Sequence, residues 1–193
     1  MPSARYRRPA VWRSEREERA WVRAAQAGEA AGVERLFERY WPVAYRTAYL
    51  IVHDAAAAED IAQEAFLASI RSLGRFDRRR PFGPWLTRIV ANRSIDHARA
   101  RALRREAFDD ALLAYAAADA DGPAADPGPY SEEVRAALAD LTPEHRAVIV
   151  LRYLLEYTPG EIAELLGLPR GTVNSRLRRA LDGMAERLPE GVR

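Results

Sequence analysis

The stretch "TPGEIAELLGLPRGTVNSRLRRAL", residues 158–181, decides how this chain is read. A short apolar helix stops at Gly167-Leu168-Pro169 and restarts at once as a helix rich in arginine. Thr158-Pro159-Gly160-Glu161 fits a capping box, S/T-x-x-E, with proline at the first helical position. Ile162, Ala163, Leu165 and Leu166 supply a core face, and the break that follows has the length a helix-turn-helix needs. On the second helix Val173, Leu177 and Leu181 recur every four residues and are expected to point inward. At about 100° per residue, Thr172, Ser175, Arg178 and Arg179 point away from them, with Asn174 and Arg176 on the flanks. That face carries hydrogen-bonding and cationic groups and no acid. A helix entering a DNA major groove needs forks for guanine, amides for adenine and phosphate anchors beside them. A solvated helix of a small bundle is the plainer alternative. Cap, turn and acid-free face together favour DNA.

Outward from this stretch, the 193 residues suffice for one ordinary domain or two small ones, and 48% hydrophobic residues suffice for a packed core. No run approaches the roughly 20 apolar residues of a membrane span. The N-terminal "MPSARYRRPAVWRSERE" is basic and lacks the apolar region of a signal peptide. There is no cysteine, hence no disulfide and no thiolate metal site, which fits a reducing cytoplasm. His53, His97 and His145 are scattered and make no metal site. Every basic residue is arginine, whose fork binds phosphates and guanine edges bidentately. Net charge is only +2 but is laid down in blocks. Residues 71–105 hold eleven Arg against Asp77 and Asp96, and residues 106–133 hold eight acids and no Arg. Such blocks suggest separate surfaces for separate partners.

Nearly all periodic segments read as helix. "SEREERAWVRAAQAGEAAGVERLFERYW" offers an N-cap at Ser14 and a break at Gly28, and "VAYRTAYLIVHD" continues the pattern. "AAAAEDIAQEAFLASIRSL" is a third helix, "GRFDRRRPFGP" a loop, and "WLTRIVANRSIDHARARALRRE" a long helix that grows more basic toward its end. The acidic "AFDDALLAYAAADADGPAADPGPYSEE" reads as a linker in its second half, with a helical turn or two in "DDALLAYAAA". Two further helices split at Leu141-Thr142-Pro143, with Thr142 the cap and Pro143 the first helical residue. The expected fold is all-α: two small helical domains joined by a flexible acidic linker, the C-terminal one a helix-turn-helix. The divisions are a basic arm 1–14, a first domain 15–105, a linker 106–130 and a second domain 131–193.

The loop in the first domain sets Phe76, Phe82 and Trp85 around Arg78, Arg79 and Arg80. The arginines make an electrostatic track. The rings either stack on unpaired bases, at about 1–3 kcal/mol each, or anchor the loop in the core, the reading favoured for Trp85. Duplex binding alone needs no such loop. Holding an extruded base does, because unstacking costs a few kcal/mol that the site must return.

These residues resemble the extracytoplasmic-function (ECF) sigma factors of the sigma-70 family. The resemblance rests on "AEDIAQEAFLASI", "RPFGPWLTRIVANRSIDHARAR" and "LTPEHRAVIVLRYLLEYTPGEIAELLGLPRGTVNSRLRRA", whose order and spacing fit regions 2 and 4 along nearly the whole chain. It implies that Asp60, Gln63 and Glu64 grip the clamp helices of the polymerase β′ subunit, and that region 4 meets the β flap. It places Ser72, Phe76 and Asn92 where the family holds a flipped base of the −10 element. Arg88, Arg93 and Arg99 then face the upstream edge of that element. Thr172, Asn174, Ser175, Arg176, Arg178 and Arg179 fall on the helix that reads the −35 element. The Gly83-Pro84 pair departs from the family's loop, and the arm with Arg5, Arg7, Arg8 and Arg13 matches no family role.

The implied partners are core RNA polymerase, promoter DNA and an anti-sigma factor. The last is expected to carry the sensing, because no further domain follows Arg193. No membrane insertion, cofactor, metal or catalytic residue is expected, and the expected location is the cytoplasm. A stand-alone helix-turn-helix regulator is the alternative. It should carry a receiver or ligand domain, and residues 15–105 lack the β/α alternation to build one. A nucleic-acid enzyme finds no phosphate loop, metal cluster or nucleophile motif in the chain.

Overall fold

The computed structural model describes residues 15–107 and 132–187, and among these there is no strand. The basic arm, the Ser14 cap and the linker from 108 onward lie outside the described residues. Four helices form the first unit: α1 (Glu15–Gln26), α2 (Ala30–Val52), α3 (Ala55–Ser72) and α4 (Phe82–Ala107). The second holds α5 (Glu132–Ala139), α6 (Pro143–Ile149) with a π turn over Val150–Leu154, α7 (Pro159–Leu166) and α8 (Arg170–Arg187).

Gly28 turns the chain between α1 and α2 at φ +85°, a value open to glycine without steric cost. Gly32 is required for a different reason. A Cβ there would sit 2.4 Å from the Ala25 backbone nitrogen and 2.6 Å from the Trp21 carbonyl oxygen, so only glycine lets α1 cross α2 this closely. α2 runs through Pro42, held on either side by buried Tyr40 and Ala44. It ends at His53 in the left-handed region (φ 53°), and Asp54 caps α3 by accepting from Ala57 N at 3.0 Å. Leu36 and Ile51 of α2, Phe66 of α3, and Phe82 and Val90 of α4 are buried at the centre of this unit.

In the second unit Thr142 caps α6 with Pro143 at its first turn, as expected. Val148, Leu151, Ile162, Val173 and Leu177 make its core. The units pack on each other, α6 and α7 lying against α4 and α6 against α2. Arg146 is the tie. Its buried guanidinium donates to the carbonyls of Leu138 (2.8 Å), Ala139 (2.7 Å), Leu141 (2.9 Å) and, across the boundary, Ile51. Burial lowers its pKa to about 10. Ile51 lies in the last turn of α2, where carbonyls lack partners within the helix, so the arginine satisfies a group that burial would otherwise leave at a cost.

Candidate nucleic-acid interface

The helix-turn-helix is built by short-range chemistry. Thr158 Oγ1 accepts from Glu161 N at 3.3 Å and the Glu161 carboxylate accepts from Thr158 N at 2.8 Å, a complete capping box. Gly167 closes α7 at φ 66°, and Leu168 N donates to Ala163 O at 2.9 Å. α8 then buries Val173, Leu177, Ala180 and Met184. Leu181 does not continue the inward stripe as expected but stands 42% exposed. A strict four-residue repeat drifts by about 40° per step on a helix of 3.6 residues per turn, and the three-residue step to Ala180 corrects it. Asn174, Arg178 and Arg179 are exposed, and Thr172, Ser175 and Arg176 are half-buried. Ser175 Oγ donates to Thr172 O at 2.9 Å, which fixes its rotamer. Burial, then the charges of Arg176 and Arg179, hold His145 below the usual histidine range, a sign of how cationic this side is.

The loop of the first unit is held from a distance. α1 reaches both its ends. Gln26 Nε2 donates to Leu73 O at 2.9 Å and Phe76 O at 3.1 Å, and the buried Glu18 carboxylate accepts from Phe82 N at 2.7 Å and from Tyr40 Oη. Burial, then the Glu18 hydrogen bond, push the Tyr40 phenol well above its usual range. Neither Glu18 nor Gln26 was picked out from sequence, because each sits in a charged or alanine-rich stretch with no motif around it. Phe76, expected to offer its ring to a base, is 9% exposed and packs on Trp85 (ring centroids 4.6 Å apart) and Phe82 (6.0 Å). Its ring pins the loop to the core. α4 itself begins at Phe82, so the loop is shorter than "GRFDRRRPFGP" and Gly83-Pro84 form the helix's first turn.

Along α4, Arg88 and Arg99 are exposed and Asn92 and Arg93 half-buried, while Ser72 stands exposed at the end of α3. Ser72 Oγ donates to Ala68 O at 2.5 Å. Asp60, Gln63 and Glu64 are all exposed on α3. Arg93 Nη1 meets Glu64 Oε2 at 2.5 Å, brought in from α4 although the two lie 29 positions apart. Asp60, Glu64, Arg93, Asp96 and His97 border one shallow hollow. Arg99 pairs with Glu144 of the second unit. Burial raises the Glu144 carboxyl, but the Arg99 bond and the neighbouring arginines outweigh it and hold the group below its ordinary range. Among the described residues no three His, Asp or Glu side chains are placed to hold a metal, and no helix is long and apolar enough to cross a membrane.

The family description "Sigma-70 region 2" matches residues 36–104 and "Sigma-70, region 4" matches residues 131–183. The chain is similar to the ECF RNA polymerase sigma factor BldN of Streptomyces coelicolor, 32% identical over 195 residues that cover 97% of this chain and 72% of that protein. It is similar to the ECF RNA polymerase sigma factor SigW of Bacillus subtilis, 31% identical over 178 residues, 86% of this chain and 94% of that one. Among solved structures it resembles CnrH in complex with the cytosolic domain of CnrY, with TM-score 0.62 and 26% identity over 88% of this chain and 95% of that one. The chain belongs to the ECF sigma factors of the sigma-70 family.

Proposed function

We propose that this protein is a dissociable initiation subunit that binds core RNA polymerase, directs it to specific promoters and helps to melt the −10 element. The observation that carries the reading is the division of labour among its surfaces. An acidic face on α3, a basic helix with a clamped loop, and the cationic first half of α8's outer face, residues 172–179, occupy distinct places in the two matched regions. Asp60, Gln63 and Glu64 offer carboxylates and an amide to a basic polymerase surface, the β′ clamp helices, and the second unit meets the β flap. Arg178 and Arg179, with Thr172, Asn174, Ser175 and Arg176 beside them, read the −35 element. Arg88, Arg93 and Arg99 approach the −10 duplex. Asn92 and Ser72 meet the extruded base, and Phe76 supports the loop from beneath. A stand-alone regulator is the weaker reading, because the relatives are named as polymerase sigma factors.

The packed arrangement has a consequence. α4 contacts α6 and α7 directly, and α8 packs on α6. Helices in contact lie roughly 8–10 Å apart. Sites named −10 and −35 are separated by roughly 85 Å at 3.4 Å per base pair. The packed form therefore does not span both elements, and initiation requires the units to part. Parting breaks the Arg99–Glu144 pair and frees Arg99 for DNA.

An anti-sigma partner fits the same arrangement. Leu50, Leu138, Ile149, Tyr153, Leu181 and Met184 border an apolar hollow between the units, suited to the apolar face of a helix. CnrH, which shares the fold, is in complex with the cytosolic domain of CnrY. Such a partner would hold the packed form in the cytoplasm until released. The test is run-off transcription with core polymerase on a library of genomic fragments. Initiation at a set of start sites sharing two spaced elements is expected. Binding to those fragments without any effect on start-site choice by polymerase would favour the stand-alone regulator.

A further inference from the structure

α1 lies outside the matched region 2, which begins at residue 36, yet it touches both ends of the loop in the first unit. Glu18, Val22 and Gln26 recur every four residues along its inner face, and Gly32 lets α1 settle directly on α2. At one end of this stripe the Gln26 amide braces the 3-10 turn Leu73–Arg75. Phe76 N donates to Leu73 O at 2.9 Å and closes the turn. Gln26 Nε2 donates to the same Leu73 O at 2.9 Å and to Phe76 O at 3.1 Å. One nitrogen thus fixes the turn that follows Ser72 and the direction in which the chain leaves it. At the other end the Glu18 carboxylate accepts from Phe82 N at 2.7 Å. Phe82 opens α4, so this N–H has no partner within the helix. Glu18 caps α4 from 64 positions away, and its charge suits the positive end of the helix. The cap is itself held, because Tyr40 Oη donates to the other carboxylate oxygen.

We infer that α1 is a ruler for this loop, and that Glu18 and Gln26 are positioning residues for recognition of the −10 element. The inference rests on the initiation reading, which assigns the loop to an extruded base. Two anchors eight residues apart on one helix stand about 12 Å apart, at 1.5 Å per residue. The helix therefore sets the spacing between the two ends of the loop. Ser72 and Phe76 lie at the Gln26 end. Asn92 follows Phe82 by roughly three turns of α4, so the register capped at Phe82 is also the register of Asn92. Glu18 and Gln26 touch no base in this scheme; they act through the width of the loop and the seating of α4. An amide reads a base edge through paired hydrogen bonds that weaken steeply once distance or angle is lost. A displaced loop should lose discrimination between bases before it loses affinity for DNA at large.

The experiment is run-off transcription by the full chain with core polymerase, on a promoter recovered from the genomic library. Each of the four bases is placed in turn at every −10 position. The readout is the ratio of initiation with the preferred base to initiation with the other three. Gln26→Glu keeps the shape of the side chain, removes its donor and sets an acceptor against two carbonyls. At the position of strongest preference it is expected to lower the ratio by about tenfold, the order of one amide contact to a base. Glu18→Ala is expected to lower the ratio too. Glu18→Gln still accepts from Phe82 N and can donate to Tyr40 Oη, so it is expected to recover it. Thr158→Ala weakens the second unit at its cap and separates stability from position; it should reduce initiation on all four templates alike. The ruler is overturned if Gln26→Glu changes the ratio no more than Thr158→Ala does. It is overturned equally if Glu18→Gln recovers no more than Glu18→Ala. Should Glu18→Ala fail to fold, Gln26→Glu decides alone. Start sites that do not depend on the wild-type chain would instead sink the initiation reading, and the ruler with it.

Discussion

The helix-turn-helix and the loop of the first unit are held in opposite ways. The helix-turn-helix is assembled by neighbours: the Thr158–Glu161 box, the left-handed Gly167 and the Leu168–Ala163 bond all act within a few residues. The loop at 76–81 is assembled by strangers. Its ends are held by Gln26, about 50 positions away, and by Glu18, 64 positions away. Local determinants fold with their own helix and survive damage elsewhere. Long-range ones depend on every contact that keeps α1 in place, so the loop is the more fragile of the two.

The largest effect that would break this contrast is expected at Glu18. Glu18→Ala removes the carboxylate that accepts from the buried Phe82 N–H and from the Tyr40 hydroxyl, two buried bonds at about 1–3 kcal/mol each. Urea unfolding should show a loss of about 3–5 kcal/mol, with amide exchange in the loop rising while the helix-turn-helix keeps its protection. Equal deprotection of both regions would show that the loop is not separately dependent on α1.

The next effect reads the packing of the two units through pH. Burial, then the nearby charges of Arg146 and Arg135, lower His53 to about 4 in the folded chain. Below about 6.5 the unfolded chain takes up a proton that the folded one refuses, so stability falls as pH drops from about 6.5 to about 4. The loss approaches about 3 kcal/mol at the bottom of that window. His53→Asn keeps a residue tolerant of the left-handed backbone and should flatten this slope. NMR titration of His53 should give a value near 6.5 once the units are parted by core polymerase, and an unchanged low value would mean they stay packed.

Gly32→Ala tests the same dependence on α1 more gently. The added methyl cannot be seated without moving α1 off α2, a cost of about 1–3 kcal/mol. The loop should loosen with it, whereas a fully native loop in this variant would uncouple it from α1. On the local side, Thr158→Ala removes only a cap and should cost about 1 kcal/mol, measured as a shift in urea midpoint with no change in the loop.

The same contrast explains what could be read from the sequence. Capping boxes, a glycine at a helix end and a polar stripe are local patterns, so α7, the turn and the outer face of α8 were legible. The error at Leu181 came from extending a four-residue repeat past the point where 3.6 residues per turn allows it. Phe76 stayed open because an aromatic beside arginines reads alike whether its ring faces a base or a core, and the structure adds that the ring packs on Phe82 and Trp85. Glu18, Gln26 and Arg146 left no trace, since each acts on a backbone group dozens of residues away. The Arg93–Glu64 pair escaped notice for that reason too.

The smallest effect on stability and the largest on function should come from the outer face of α8. Arg178→Ala with Arg179→Ala removes two exposed side chains that build no part of the core, so the fold should be indifferent. The decisive measurement is promoter-specific transcription by the double variant, read beside its affinity for core polymerase. The account predicts unchanged polymerase affinity and a fall in promoter-specific transcription of roughly tenfold to a hundredfold, the equivalent of about 1–3 kcal/mol of base discrimination. Unaltered transcription, or a loss of polymerase binding in parallel, would contradict it.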